Sequence, residues 1–251
     1  MGNGATYPML GVFENDQRAV IKAFNNPEGN LTLVNEYICY KLATVLQLPM
    51  PISGLCQCDE YTEDPTKCLS DRNYGCGFYS IYQEKNALLK LGIMKHVENL
   101  DIFYKLVVFD HLIYNKDRNP GNLLVEYKKS GVHISVIDHS HVFKNEAIWD
   151  ENCFKLGIIE SDYFDTDIMK QNSDLYSLFW QTITTSKDLL IDSSRQIRQQ
   201  ISPALLDNIL SSVPNEWIVP DKDLKSLKEY ILYRLAHLDD MCNIIYDYIK
   251  I

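Results

Sequence analysis

No stretch of this 251-residue chain approaches the ~18 uncharged apolar residues that a membrane-spanning helix requires, so no transmembrane span is expected. No positively charged start is followed by an apolar run, and a secretory signal is not expected either. Positive charge is scarce: 24 Lys and Arg stand against 34 Asp and Glu, a net charge of −10. That surplus of acid weighs against direct binding to nucleic-acid backbones or to an anionic membrane. It leaves room for an anionic ligand that arrives with its own cation. An even complement of cysteines is also missing. Seven thiols cannot all pair, and a reduced, cytoplasmic setting is expected. Neither G-x-S-x-G nor H-E-x-x-H occurs, which leaves α/β-hydrolase and zincin chemistry without support. There is no internal repeat and no low-complexity tract. With 46% hydrophobic and 23% charged residues, the chain has an ordinary globular composition and the length for a sizeable core.

Turn and period signals divide what is there. Residues 8–13 and 19–24 read as strands around a polar turn, and NNPEGN at 25–30 is turn chemistry. From Leu31 the period becomes helical: Leu31, Val34, Ile38, Leu42 and Val45 form one apolar stripe. Pro49 and Pro51 are expected to end that helix near Leu48. Residues 56–76 hold most of the cysteines and read as a loop or hairpin. There, Cys56, Cys58, Cys68 and Cys76 have the residue type for zinc, although their spacing matches no common zinc pattern. A short strand is expected over 78–82 and a helix over 99–114. A strand at 123–127, a turn and a second strand at 132–137 follow. After about residue 150 the chain reads as helices. The last of these runs through Leu224, Leu227, Ile231, Leu235, Leu238, Cys242, Ile245 and Ile249, with Asp221 as its cap. The first six residues, MGNGAT, also fit the loose N-myristoylation pattern.

The chemistry concentrates in NKDRNPGNLLV (115–125) and ISVIDHSHVF (134–143). Asp117 and Asn122 lie five residues apart in a loop that opens into a strand, and Asp138 ends the next strand. Phosphoryl transfer needs a carboxylate to orient or deprotonate the acceptor hydroxyl, and oxygen ligands for a Mg²⁺ that offsets phosphate charge. These three residues supply both, at the D-x-x-x-x-N spacing of a kinase catalytic loop. Singly, each is also ordinary turn chemistry. Ala19-Val20-Ile21-Lys22 closes an apolar strand with a lysine that could reach nucleotide phosphates, or could simply be exposed on an edge strand. Glu36, on the first helix after it, borders the apolar stripe and could pair with Lys22 or be a solvated charge. Gly4 and Thr6 form a glycine-containing start that could bring N–H groups and a hydroxyl to phosphates. Asp110 falls on the apolar face of its helix, and a structural role is expected for it, accepting from backbone N–H groups or from Arg118. The histidines show no metal constellation.

Together, FNNPEGNLTLVNEYICYKLATVLQLPMP, FDHLIYNKDRNPGNLLV and VIDHSHVF resemble the HipA-like kinase domain in its small single-domain form. More distantly, DRNPGN with VIDHS is similar to the catalytic motifs of phosphatidylinositol 3- and 4-kinases. The resemblance implies an α+β, bilobed protein-kinase-like fold, with a strand-rich N-lobe at 1–84 and a mainly helical C-lobe at 85–251. It implies a kinase using ATP and Mg²⁺ to phosphorylate a hydroxyl, most simply on serine or threonine of a protein substrate. Lys22 would bind the phosphates, Glu36 would hold Lys22, Asp117 would act as base, and Asn122 and Asp138 would bind Mg²⁺. Phe78, Tyr79 and Tyr82 would border the adenine. H-R-D, D-F-G and A-P-E are absent, so the chain does not resemble a eukaryotic-type protein kinase. The larger HipA toxins use an extra N-terminal region to contact a DNA-binding antitoxin. An antitoxin-like protein partner is therefore implied, but this chain lacks the length for that region. Two other readings use the same residues: a pseudokinase that binds nucleotide without transfer, and a lipid or small-molecule kinase. The latter would want a basic surface near the cleft, where Lys116, Arg118, Lys128 and Lys129 cluster.

Overall fold

The computed structural model describes residues 5–84, 87 and 89–250. Two hairpins supply the first sheet. Met9–Val12 (β1) returns through a turn at Asp16 (φ 62°) to Arg18–Lys22 (β2), and Ser53–Cys58 (β3) pairs with Gly75–Ile81 (β4). All pairs are antiparallel and the strand order is β1-β2-β4-β3. The cysteine-rich segment expected as a loop or hairpin is thus the far end of a hairpin, with 59–74 as its connection. Register places Lys22 opposite Phe78 and Val20 opposite Ser80. Because paired residues share a face, these four side chains line one surface of the sheet.

Helix α1 (Leu31–Val45) packs against that sheet. It is buried on more than the predicted stripe: Asn35, Glu36, Tyr37 and Cys39 are buried alongside Val34, Ile38 and Leu42. The helix stops at Val45, before the prolines. Gln47 turns left-handed (φ 57°), and the Leu48 N–H reaches back to the Ala43 carbonyl, a common way to satisfy terminal carbonyls.

The remainder is mostly helical. After the short α2 (Leu91–Met94), helix α3 (Ile102–Leu112) runs through the core with Phe103, Leu106, Val107, Val108 and Phe109 buried. Strands Leu123–Lys128 (β5) and Gly131–Val136 (β6) form the expected second hairpin. It is tied to the first sheet's side by a hydrogen bond from the Val136 N–H to the Pro49 carbonyl. Helices α4 (Glu151–Ile159), α5 (Asp167–Gln171), α6 (Ser173–Thr182), α7 (Lys187–Gln200) and α8 (Pro203–Ser211) follow. The long terminal run expected as one helix is two, α9 (Asp221–Ala236) and α10 (Leu238–Ile249). At His237 the N–H bonds the Arg234 carbonyl three residues back, and the ring stacks on Tyr163 at 3.9 Å. The apolar spacing survives the break because both helices bury residues against the same core. Asp221 is the first helical residue and makes no capping bond; Pro220 holds the cap position. Among the described residues, no helix is long and apolar enough to cross a membrane.

Arg234 is fully buried and closes the end of α3. It donates to the His111 and Leu112 carbonyls and to Asp162. The two carbonyls lie at the C-terminal end of the helix, where intrahelical donors run out, although the His111 carbonyl also accepts from the Tyr114 N–H at 3.3 Å. His111 is buried beside them, with Nδ1 donating to the Val107 carbonyl at 2.8 Å. Burial pushes its pKa down to about 4. In the unfolded chain the ring takes up a proton near pH 6.5. Between those two values the unfolded state binds more protons, so stability falls as the pH falls. Urea unfolding should show His111→Phe less acid-sensitive than wild type between pH 7 and 5, by about 2 kcal/mol. Equal losses in the two proteins would rule out this histidine as the source.

Candidate active site

The two strand systems meet at a cluster of four side chains. Lys22, at the end of β2, reaches across to α1 and to the segment after β6. Its ammonium donates to Glu36, to Asp138 Oδ1 at 2.9 Å and to Ser140 Oγ at 2.6 Å. Glu36 is buried at 3% exposure and is not a solvated charge. Asp138 follows β6 in the left-handed region (φ 58°), a conformation aspartate tolerates better than most residues. Ser140 completes the ring, within hydrogen-bond reach of Glu36 Oε1 at 3.1 Å and Asp138 Oδ1 at 3.0 Å. Burial alone would lower the Lys22 pKa, but the two carboxylates outweigh it and hold it above the ordinary value. Burial alone would raise the Asp138 pKa; Lys22 and the Ser140 hydrogen bonds hold it well below the usual carboxylate range. Burial pushes the Glu36 carboxyl up, against the pull of Lys22. One ammonium thus faces two carboxyls, and Asp138 is the firmly ionised one.

Helix α1 is pinned to the same segment by the residue before Glu36. Asn35 Nδ2 donates to the Ser140 carbonyl at 2.7 Å, and Asn35 Oδ1 accepts from the Trp149 indole at 2.8 Å. The spacing of Asn35 and Glu36 to the 138–149 segment is therefore fixed by neutral hydrogen bonds as well as by charge.

The loop between α3 and β5 is built around Arg118, which is fully buried. Its guanidinium contacts Asp110 at 3.2 Å, the Asn122 carbonyl at 3.2 Å, the Ile137 carbonyl at 2.7 Å and His139 Nε2 at 2.8 Å. One side chain therefore joins the loop holding Asp117 and Asn122 to the residues flanking Asp138. Asp110 is the structural acceptor expected of it, bonded also by Asn115 at 2.9 Å and Tyr176 at 3.1 Å. Asn172, ahead of α6, accepts from the Arg118 N–H at 2.8 Å and donates to the Asn115 carbonyl at 2.9 Å. Burial and the adjacent Arg118 keep the His139 ring neutral, its pKa far below the ordinary value. Buried in this way, Arg118 adds nothing to a basic surface near the loop.

Asp117 is exposed at the tip of this frame. Its N–H donates to Asn115 Oδ1 at 2.9 Å, and its Oδ1 accepts from Asn119 Nδ2 at 3.1 Å. Asn122 donates its Nδ2 to the Asp117 carbonyl at 2.6 Å, which turns the amide oxygen to the other side of the planar group. Asn122 Oδ1 and the Asp138 carboxylate are hard oxygen donors of the kind Mg²⁺ accepts. The excess of carboxyl over ammonium at Lys22 also fits a cation.

A cavity of about 380 Å³ opens at this cluster, lined by Lys22, Glu36 and Asp138 and walled by Pro8, Val20, Phe78, Leu124 and Ile137. Its polar end and apolar walls suit a ligand with a charged group and a flat ring. Phe78 and Tyr82 line it. Tyr79 does not: it alternates to the other face of β4 and packs edge-on against Phe13 at 4.9 Å. Thr6 is buried in a separate cavity beside Asn25, Asn26 and Arg72, so Pro8 is the nearby residue that borders the cleft. Gly4 lies outside the described residues. Sequence reasoning missed Ser140, Asn35 and Asn172. Ser140 stands two residues after Asp138, where a hydroxyl has no periodicity or motif to mark it.

The four-cysteine reading fails on register. Cys56 and Cys58 share one face of β3, and Cys76 pairs with Gln57 on the opposite face. Cys68 is exposed on the connecting loop. Among the described residues, no group of three or more His, Cys, Asp or Glu is placed to hold a metal ion. A magnesium site of one carboxylate, one amide and substrate phosphates requires no such group.

A family model described as HipA-like kinase matches residues 1–241. Among solved structures the fold is similar to that of a Helicobacter pylori proinflammatory kinase, CtkA, with a TM-score of 0.62 at 12% sequence identity. That match covers 100% of this chain and 94% of the other. No curated protein matches the chain.

Proposed function

The chain belongs to the HipA-like kinase family, and on that premise we propose that it is an active ATP- and Mg²⁺-dependent kinase that phosphorylates a serine or threonine of a protein. The observation that carries this reading is the convergence of Lys22, Glu36 and Asp138, from three separate parts of the chain, at one end of an apolar-walled cleft.

Each residue then has a role that follows from its surroundings. Lys22, kept charged by its two carboxyl partners, binds and orients the nucleotide phosphates. Glu36 and Ser140 hold the lysine in place, and Asn35 keeps α1 at the distance that allows it. Asn122 and Asp138 would hold Mg²⁺, which when bound offsets the negative charge developing on the transferred phosphoryl group. Asp117 faces solvent, where an acceptor can approach. With its backbone N–H on Asn115 and its carboxylate held by Asn119, Asp117 orients the acceptor hydroxyl and takes its proton. Arg118 keeps Asp117 and Asp138 in one rigid unit, which matters because catalysis by positioning is lost with small displacements. The net charge of −10 is consistent with a protein acceptor rather than an anionic lipid.

The test is transfer of the γ-phosphate of labelled ATP with Mg²⁺, to the protein itself or to proteins of a cell extract. Transfer should stop on chelation and resume with excess Mg²⁺. Asp117→Ala should reduce it by about 10²–10⁴-fold, the usual contribution of a positioned base. Undiminished transfer by Asp117→Ala would overturn the role of that residue, and no transfer by the wild type would overturn catalysis.

A further inference from the structure

The back wall of the cleft carries a hydrogen-bond chain that ends on a backbone carbonyl. Ser53 on β3 and Ser80 on β4 stand opposite each other in the register, with their hydroxyl oxygens 2.8 Å apart. Ser53 also contacts the Pro51 carbonyl at 3.0 Å. A carbonyl oxygen can only accept, and a serine hydroxyl has one proton to give. With the Ser53 proton on the Pro51 carbonyl, the proton between the two serines comes from Ser80. The Ser80 oxygen is left able to accept but not to donate, and Ser80 lines the cleft.

Strand register fixes where that acceptor sits relative to the phosphate-binding lysine. Lys22 is opposite Phe78; two residues back along β2, Val20 is opposite Ser80. Val20, Leu124 and Ile137 supply apolar walls for a flat ring beside it. With phosphates at Lys22, the base of a bound nucleotide lies toward Val20 and presents an edge to β4. We propose that Ser80 is a specificity-determining residue that selects a purine bearing a 6-amino group over one bearing a 6-oxo group. This inference rests on the nucleotide reading above. A 6-amino group donates to the Ser80 oxygen. A 6-oxo group would set two acceptors against each other, with no proton available while Ser53 holds the chain in its present direction. Rejection of this kind is stronger than the loss of a neutral contact, because both acceptors stay unpaired.

Binding with Mg²⁺ is measured by displacement of a ribose-labelled fluorescent ATP, using ATP and inosine triphosphate as competitors. Inosine triphosphate lacks the 2-amino group of GTP and differs from ATP at the 6-substituent and in carrying a proton on N1, so the two serine variants are what isolate the Ser80 contact. Wild type should prefer ATP by roughly tenfold to a hundredfold. Ser80→Ala should narrow that ratio by weakening ATP. Ser53→Ala should narrow it differently, because the freed Ser80 proton can turn to a 6-oxo group and inosine triphosphate tightens. Equal affinity for the two nucleotides in wild type, or an unchanged ratio in both variants, overturns the assignment of Ser80 while leaving nucleotide binding intact. Failure of every triphosphate to displace the probe, or of the probe to bind, overturns the nucleotide reading itself and this inference with it.

Discussion

Asp138→Asn is expected to reduce phosphate transfer at saturating ATP by about a thousandfold, with the fold retained. The substitution changes charge and little else. Asparagine has the same shape, tolerates the left-handed backbone at this position (φ 58°), and its amide oxygen can still accept from Lys22 and Ser140. What disappears is the ionised carboxylate that Lys22 holds well below its usual pKa. On the proposed assignment, Mg²⁺ would lose an anionic ligand there and would keep only the neutral Asn122 oxygen. The measurement is the initial rate of γ-phosphate transfer across a Mg²⁺ titration, beside a thermal unfolding curve. A variant that melts like wild type and turns over within about tenfold of it would remove Asp138 from the reaction, since a charge-bearing metal ligand is worth more than that.

Asp110→Ala is expected to cost about 3–5 kcal/mol of stability, because it leaves the Arg118 guanidinium buried without its counter-charge. Asp110 and Arg118 are both fully buried, and the carboxylate also receives Asn115 and Tyr176. Replacing both partners, as Asp110→Leu with Arg118→Met, removes the unpaired charge and by that measure alone would restore much of the loss. Here recovery should stay below about half, because Arg118 also serves the Asn122 and Ile137 carbonyls and buried acceptors without donors are costly. Urea unfolding of the single and double variants checks this directly. A double variant as stable as wild type would mean that those two carbonyls find other donors or do not need them.

Both predictions concern residues whose type and position in the chain could be read early, yet their reasons differ. The D-x-x-x-x-N loop between a helix and a hairpin is local information: turn residues, apolar period and spacing all act within about ten residues of one another. The same holds for the lysine closing β2 and for helix α1. Glu36 was legible only as a candidate. A glutamate bordering an apolar stripe is buried or solvated according to what packs there, and its neighbour proved to be a segment more than a hundred residues on. The single helix expected at the end of the chain shows the converse limit. Its three-four spacing persists through His237 because burial, not continuity, sets that pattern, so periodicity could not reveal the break between α9 and α10.

By itself, then, the sequence determined the kinase order of chemistry-bearing residues, the strand-then-helix organisation and a structural role for Asp110, all of which follow from spacing and from the cost of an unpaired charge on an apolar face. The tertiary structure alone decided which groups meet. It brought Lys22 to Asp138 and Ser140 across 116 and 118 residues of chain. It turned Tyr79 away from the cleft, kept Thr6 in another cavity, and separated Cys76 from Cys56 and Cys58 by one step of register. The physical reason is the same in each case. Which face a strand residue occupies, and what lies across from it, is set by pairing between distant segments, and a one-residue change of register reverses it.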